Sequence, residues 1–455
     1  MSDSSTSTRT PITKIVTASL IGTTIEWYDF FLYGTAAALV FHELFFPRFD
    51  PLTGTLLAFS TYAIGFVARP VGGLVFGHFG DKIGRKRLLV LSLVLMGGAT
   101  CAMGLLPTYA AVGAAAPLML TFLRLVQGFA LGGEWGGAVL IVSEHGDNHS
   151  RGLRAAWPQC GAPAGNVLAT LVLTVLTLVQ SQEDFLTWGW RIPFLLSGVL
   201  LILGLWIRLS VSESPAFVAA QQAAQQSGEH SKVPLVELFR GYWREVLITI
   251  GARIAENFSY FLITVFLLTY ITGPLEMSRS VGLTAVLFGS VVHFVTMPMY
   301  AALSDRIGRR PVYLFGSIAM AVWGFVFFAL LDTRSAAWTT VAVTVGLLIH
   351  GAMYGPQSAF FAEQFGTRVR YTGLSVGAQL SAVVAGGLAP VIGIALLQAF
   401  HSTVPISLYL LGTCVITSVA VYLARETAGQ PLADEPGAPA PAPAGRNAEP
   451  VPVRE

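Results

Sequence analysis

The sequence has few charged residues and few cysteines. Of its 455 residues, Lys and Arg supply 27 and Asp and Glu 25, so 11% of the chain is charged, whereas soluble domains average about 25%. This scarcity excludes an ordinary soluble enzyme. The net charge of +2 is too small to indicate a nucleic-acid partner. The scattered Cys101, Cys160 and Cys414 exclude a disulfide framework and a CxxC metal site, so we expect them to be buried helix residues.

Long apolar runs replace the missing charge. The apolar share is 54%, and a membrane-crossing helix takes about 20 residues. Hydropathy predicts twelve spans, numbered here in chain order, at 15–40, 53–77, 88–107, 116–143, 153–179, 190–210, 244–272, 281–302, 312–331, 337–363, 371–398 and 404–423. We therefore predict an all-α membrane protein with twelve transmembrane helices in two six-helix halves.

Basic residues predict the orientation of these spans, because Lys and Arg favour the cytoplasmic side. With the first terminus inside, only Arg48, Arg191, Arg279 and Arg334 fall in outside loops, so both termini are predicted to be cytoplasmic. The residues before span 1 lack the features of a cleavable secretory signal. The predicted organisation is a cytoplasmic tail 1–14, a first half 15–210, a central cytoplasmic loop 211–243, a second half 244–424 and a disordered Pro/Ala-rich tail 425–455.

An internal repeat supports the division into halves. Gly77-His-Phe-Gly-Asp-Lys-Ile-Gly-Arg-Lys-Arg follows span 2, and Ala302-Leu-Ser-Asp-Arg-Ile-Gly-Arg-Arg-Pro follows span 8. In the first copy we expect the glycine to allow close packing, the acid to cap a facing helix and the basic cluster to contact lipid head groups. The predicted gating residues are Gly77, Asp81, Gly84, Arg85, Asp305, Gly308 and Arg309. Related halves usually enclose a central site around which both can rock.

These loops resemble the signature of the major facilitator superfamily. Three further stretches, at 25–34, 124–137 and 188–194, resemble its metabolite:proton symporter branch, whose members carry shikimate, 2-oxoglutarate, citrate and proline/betaine. The resemblance covers roughly 15–425. It implies alternating access in the bacterial cytoplasmic (inner) membrane, a first repeat loop that latches the cytoplasmic side, and an arginine at position 124 associated with proton coupling. Osmosensing members carry a heptad-repeat tail, and the Pro/Ala-rich tail here disfavours that role.

Ionisable groups inside spans predict proton coupling, because each costs about 2.5–3.5 kcal/mol on insertion scales. Glu26 and Asp29 share one face of span 1, where repulsion and burial favour one bound proton; a pair permanently neutralised by arginine is the alternative. Arg124 stays charged and must face an anion, and we predict Asp29 as its partner. Glu134 is either a second proton site or a structural acid.

Polar side chains in other spans predict a substrate site. In span 7, Arg253, Glu256 and Asn257 have the spacing of an internal ion pair that leaves guanidinium donors for a ligand; a self-satisfied pair is the alternative. This Arg-x-x-Glu spacing resembles that of the shikimate-type members of the branch, which carry it early in span 7. The predicted substrate-binding residues are Tyr33, Arg124, Gln127, Gln159, Arg253, Glu256, Asn257, Tyr354, Gln357 and Gln379. His350 shares the stripe of Tyr354 and Gln357, and Arg69 and His293 receive no role.

The function that follows is proton-coupled import of a small organic acid. The alternatives are import of a zwitterionic osmolyte such as proline/betaine, or proton-coupled export. No HExxH motif is present, so we predict neither an enzyme nor a cofactor. His145 and His149 fall in a predicted loop, where we expect a solvated segment and no metal. The glycine pairs 128/132 and 133/137 are expected to pack helices within one bundle, which favours a monomer whose partners are substrate, protons and lipid.

Overall fold

The computed structural model describes residues 12–430, apart from positions 84, 133–149, 211–237, 239 and 367–368. Within those residues every regular element is a helix, as predicted. Most of the central loop and all of the tail beyond residue 430 lie outside the described residues, so their predicted roles stay predictions.

The first half contains six long helices. Span 1 is Ile12–Leu39, span 2 Pro51–Ile83, span 3 Arg85–Gly104, span 4 begins in Ala115–Leu131, span 5 is Arg151–Val179 and span 6 is Arg191–Ser210. The short helices Phe41–Phe45 and Tyr109–Val112 lie in connections. A 44° bend separates Gln182–Gly189 from the start of span 6. Most described boundaries lie within three residues of their predicted positions, but spans 2 and 8 continue to Ile83 and Ile307, past their predicted ends at 77 and 302. The end of span 4 is outside the described residues.

The second half repeats this arrangement. Span 7 is Trp243–Thr272, span 8 Arg279–Ile307, span 9 Arg309–Leu331, span 10 Ala336–Ala362, span 11 Thr372–Phe400 and span 12 Val404–Leu423. Two of these helices contain a π-helical turn, Leu262–Phe266 in span 7 and Ala382–Gly387 in span 11. Gly308 joins spans 8 and 9 at φ 107°, a backbone conformation that favours glycine.

Eight of the described helices are long and apolar enough to cross a membrane, and the bent pair at span 6 would make nine. Burial separates central from peripheral helices. In span 7, 94% of the most apolar window is buried, against 39% in span 9. Large apolar side chains such as Leu178, Trp206 and Val322 are exposed on the outside of the bundle, where lipid would surround them. The halves meet where span 5 packs on span 8 and span 2 on span 11.

Backbone-to-backbone packing holds span 4 against span 2. A Cβ on Gly128 would lie 1.9 Å from the carbonyl oxygen of Gly65, and one on Gly132 would lie 2.0 Å from the carbonyl oxygen of Arg69. Only glycine fits at such distances. Gly128 and Gly132 therefore pack inside the first half, as the sequence predicts, and Gly133 and Gly137 lie outside the described residues.

Candidate functional site

A small polar cavity lies between the two halves. Its volume is about 30 Å³, room for about two water molecules. The polar lining side chains are Glu26, Arg69, Arg253, Asn257 and Gln379, and Trp27, Phe66 and Phe261 supply aromatic walls. A second space of about 10 Å³ continues past Arg253 and Asn257 to Glu256, Tyr260, His350 and Tyr354. Spans 1, 2, 7, 10 and 11 thus converge on one site, which is closed around a volume smaller than an organic acid.

Arg69 is a cavity residue that the sequence analysis left without a role. Its guanidinium carbon lies 4.4 Å from the ring centres of both Phe30 and Phe66. The Nε and Nη2 atoms are buried and donate no hydrogen bond, and no acid among the described residues forms a salt bridge with this side chain. Glu26 contributes favourable charge at longer range. A buried cation with open donors beside a cavity is the arrangement that an anionic ligand would complete.

Asp29 and Arg124 do not form the predicted ion pair. Asp29 is fully buried and accepts a hydrogen bond from Ser197 at 2.5 Å, while its Oδ2 has no hydrogen-bond partner. Arg124 donates to Gln127, whose amide donates to Thr100 at 2.8 Å. Thr100 also adjoins Asp29. The acid and the guanidinium are therefore linked through two neutral side chains, because span 4 turns Arg124 toward aromatic rings instead of toward span 1's acid.

Three aromatic rings surround the Arg124 guanidinium. Its carbon lies 4.4 Å from the ring centre of Tyr33, 4.6 Å from Tyr62 and 4.7 Å from Phe30. Tyr33 hydrogen-bonds Thr61 at 2.6 Å. Neither Arg124, Tyr33 nor Gln127 lines the cavity in this conformation. Phe30 touches both Arg124 and Arg69, so one ring connects the buried network with the cavity.

The predicted ion pair of span 7 is present. Arg253 Nε lies 3.4 Å from Glu256 Oε2, and Asn257 donates to the same oxygen at 3.2 Å. Gln357 from span 10 donates to it at 3.0 Å and also to Tyr313 at 3.1 Å. All three predicted residues of span 7 line a cavity, whereas Gln357 supports Glu256 from behind.

Polar contacts cross between the halves near the cavity. Gln159 donates to the Tyr354 carbonyl at 3.3 Å, and Gln379 donates to the Gly132 carbonyl at 3.3 Å. Asn166 donates to Ser290 at 3.0 Å. Gln379 and Tyr354 line a cavity, like the three predicted residues of span 7, whereas Gln159 does not. In this conformation these groups hold the halves together.

A charged cluster joins the halves at the predicted cytoplasmic end. Asp305 accepts from the backbone of Gly152 at 2.8 Å and of Leu153 at 3.0 Å, which caps the first turn of span 5. Arg309 lies 2.7 Å from Asp305 and 3.2 Å from Glu363. Arg151 donates to Glu363 at 3.0 Å. The second repeat loop thus makes the helix-capping contact that the sequence analysis expected of the first loop.

The first repeat loop is described only by its backbone. Gly77 and Asp81 lie near the end of span 2 and Arg85 begins span 3, while Gly84 lies outside the described residues. Their gating roles stay predictions. Glu134 also lies outside the described residues.

A short segment after span 12 adds to the charged cluster. Glu426 accepts from the backbone of Arg309 and of Arg310, both at 2.9 Å, and so caps the start of span 9. Thr427 donates to Glu363 at 2.7 Å, and Arg151 donates to the Gln430 carbonyl at 3.2 Å. At the opposite end, Arg279 donates to Glu43 at 3.0 Å. Contacts between the halves therefore occur at both ends of the cavity.

Sequence reasoning missed the position of Arg69 at the cavity and the contacts of Thr100 and Ser197. Arg69 was recognisable as a charge well inside span 2, but the rings that hold it are set by the rotation of two helices. Thr100 and Ser197 carry no signal, because single hydroxyls are common in membrane helices.

Comparison with known proteins agrees with this architecture. Residues 19–390 match the Major Facilitator Superfamily. The shikimate transporter of Escherichia coli is 38% identical over 90% of this chain and 93% of its own length. The inner membrane metabolite transport protein YhjE of the same organism is also 38% identical, over 92% and 95%.

A solved structure shows the same fold. The partially occluded inward open conformation of the xylose transporter XylE from E. coli matches with a TM-score of 0.69 at 16% identity, over 92% of this chain and 99% of that one. Twelve transmembrane helices are consistent with this fold. The chain is a multi-pass membrane transporter, not an enzyme, and it belongs to the Major Facilitator Superfamily, in its metabolite:proton symporter branch.

Proposed function

We propose that this transporter imports a small organic acid together with protons. The observation that carries the proposal is Arg69, a buried guanidinium with open donors at a cavity between the halves. Arg253 faces the same cavity from the other half. A carboxylate placed between them would receive charge-assisted hydrogen bonds from both halves. Closing around a bound anion would then bring the halves together.

Asp29 is the proposed proton carrier. Its Oδ2 is buried without a donor, so a charged carboxylate there costs free energy that a bound proton removes. The link through Thr100 and Gln127 to Arg124 lets the charge at Asp29 influence the guanidinium without direct contact. Phe30 then connects Arg124 with Arg69 at the cavity. Glu26, which lines the cavity, is the second acid of this face.

The proposed cycle is alternating access. Proton and carboxylate enter from the predicted periplasmic side and the halves close as seen here. Separation of Arg151 from Glu363, and of the span 5 backbone from Asp305, then opens the other side. One proton carried with a monoanion moves no net charge. Accumulation is then about tenfold per pH unit, and steeper accumulation requires a second proton.

One relative, 38% identical to this chain, is named a shikimate transporter, which supports an organic acid. We place the protein in the bacterial inner membrane with both termini in the cytoplasm, and expect it to work as a monomer. The gating roles of Gly77, Asp81, Gly84, Arg85, Asp305, Gly308 and Arg309 belong to the same proposal. A zwitterionic cargo has no net charge and would not need an arginine at the cavity from each half.

The test is uptake into proteoliposomes. A panel of labelled shikimate, 2-oxoglutarate, citrate, proline and betaine is offered with and without an imposed pH gradient, acidic outside. We expect one carboxylate to accumulate only with the gradient. Asp29→Asn should abolish that accumulation while sparing counterflow of the same compound. Undiminished uphill uptake by Asp29→Asn would refute the assignment of Asp29 as the proton carrier. Uptake of betaine alone would refute the proposal that the substrate is an anion.

A further inference from the structure

A pair of buried histidines stands behind the span 7 ion pair. His293 of span 8 and His350 of span 10 are 0% and 1% exposed. Their rings are hydrogen-bonded, with 3.0 Å between His350 Nδ1 and His293 Nε2. On its other side, His350 Nε2 lies 3.2 Å from the Glu256 carbonyl oxygen and 3.5 Å from its carboxylate Oε1. The three residues form one unbroken chain.

Hydrogen-bond chemistry fixes where the protons are in that chain. Both groups facing His350 Nε2 are acceptors, so this nitrogen carries the hydrogen. A neutral His350 must then accept at Nδ1, and His293 must donate from Nε2. That leaves His293 Nδ1 as a bare nitrogen, and it has no hydrogen-bond partner in the structure. One end of this hydrogen-bonded chain is therefore an unpaired nitrogen that can accept a proton, and the other end is a carboxylate.

We propose that His293, His350 and Glu256 form a proton relay, and that this relay supplies a proton in addition to the one on Asp29. A proton that binds His293 Nδ1 displaces the hydrogen of Nε2 to His350 Nδ1. The hydrogen of His350 Nε2 in turn passes to Glu256 Oε1. One proton enters, one arrives at the carboxylate, and both imidazoles end neutral in the opposite tautomer. The reverse sequence empties the relay.

The delivered proton changes the cavity. A neutral Glu256 holds Arg253 less strongly, because their 3.4 Å contact loses its opposite charges. Arg253 lines both cavity spaces, so its donors become available to a ligand carboxylate. Proton uptake at His293 would then favour anion binding, and release of the anion would favour return of the proton. This inference rests on the proposed function.

The surroundings of the relay leave no competing acid close to the two rings among the described residues. Tyr260 of span 7 lies 4.9 Å from His350 and 5.7 Å from His293 between ring centres. Tyr354 of span 10 lies 5.6 Å and 6.1 Å away. Cys160 of span 5 packs beside Tyr354. Arg253 is the charged group next to the relay, because it contacts Glu256.

The experiment compares His350→Gln and His293→Gln with the wild-type chain in proteoliposomes, using labelled shikimate. With an imposed gradient of one pH unit, loss of one coupled proton should lower the accumulation ratio about tenfold, while shikimate counterflow continues. His401→Gln, at an exposed position between spans 11 and 12, is the matched control and should accumulate like wild type. His variants that accumulate like wild type overturn the relay.

The same assay separates the relay from the proposed function. If the His variants match wild type while Asp29→Asn fails, the relay falls and the symport proposal stands. If the wild-type chain itself ignores the gradient, the symport proposal falls. The relay is then judged on the folded wild-type protein by ¹⁵N NMR of its histidines. A coupling across the bond between His350 Nδ1 and His293 Nε2, with hydrogen on both Nε2 atoms, supports it. Absence of this coupling overturns the relay. Because the measurement uses the wild-type protein, it decides the question even if a variant fails to fold.

Discussion

The two halves hold their buried charges differently. In the first half Arg124 and Arg69 rest on aromatic rings, and Asp29 is separated from Arg124 by neutral side chains. In the second half Arg253 contacts Glu256 directly. A cation on aromatic rings keeps its donors free for a partner that comes and goes, whereas a fixed ion pair must be broken first. Arg69 is thus suited to receive an anion directly, whereas Arg253 must first loosen its contact with Glu256.

The largest expected effect concerns helix packing in the two halves. The Cβ of Gly128→Ala in span 4 would lie 1.9 Å from a span 2 carbonyl oxygen, whereas that of Gly355→Ala in span 10 would lie 2.6 Å from the Met297 carbonyl oxygen of span 8. Gly128→Ala should cost about 3 kcal/mol or more, and Gly355→Ala less. Yield and thermal unfolding in detergent measure both.

Gly98→Ala is the control for this packing prediction, because its Cβ would meet nothing within 4 Å, and it should fold like wild type. Equal losses for Gly128→Ala and Gly355→Ala would show that the two halves are packed alike.

The next effect concerns the two cavity arginines. Arg69→Gln removes a cation that forms no salt bridge with an acid among the described residues. The KM for shikimate should therefore rise roughly 30-fold, which corresponds to about 2 kcal/mol. Arg253→Gln should raise KM less, because Arg253 already shares its charge with Glu256. Initial uptake rates over a range of shikimate concentrations give both values. A larger rise for Arg253→Gln would reverse the comparison of the halves.

A smaller effect is expected at the predicted cytoplasmic end. Glu363→Gln removes the carboxylate that Arg151, Arg309 and Thr427 share, so the halves should separate there more often. Cys160 is fully buried on span 5, and its labelling by a maleimide should become faster by several-fold. Cys414, on span 12, is the internal reference and should label at an unchanged rate. Unchanged labelling of Cys160 would show that the cluster does not close this end.

The smallest effect concerns acid stability at the opposite end. Burial lowers the pKa of His42 from its usual 6.5, although Glu43 opposes the shift. Below pH 6.5 the unfolded chain takes up a proton that the folded protein resists, so this residue's contribution to stability is lost as pH falls. His42→Gln should make thermal unfolding slightly less sensitive to acid below pH 6.5. A steeper loss of stability would contradict the sign.

Hydropathy and residue spacing correctly predicted the features that depend on one helix alone, namely its position in the chain and the contacts along its own face. The spans follow from apolar length alone, and Arg253, Glu256 and Asn257 meet because they share a face of span 7. The Arg124 to Asp29 pair was wrong because it depends on how two helices are rotated about their axes. The His293 to His350 contact joins separate helices whose residues share no periodic pattern, so sequence offered no signal for it.

The π-helical turns in spans 7 and 11 interrupt the regular α-helical winding of these two helices. Each π-helical turn stores one surplus residue, and letting it return to ordinary winding would swivel one end of the helix by about 100° relative to the other. In span 11 this turn begins three residues after Gln379. This rotation would break the hydrogen bond from Gln379 to the Gly132 carbonyl without unfolding any backbone. The contact between the halves at this point would then open at a small cost in free energy, before the halves separate.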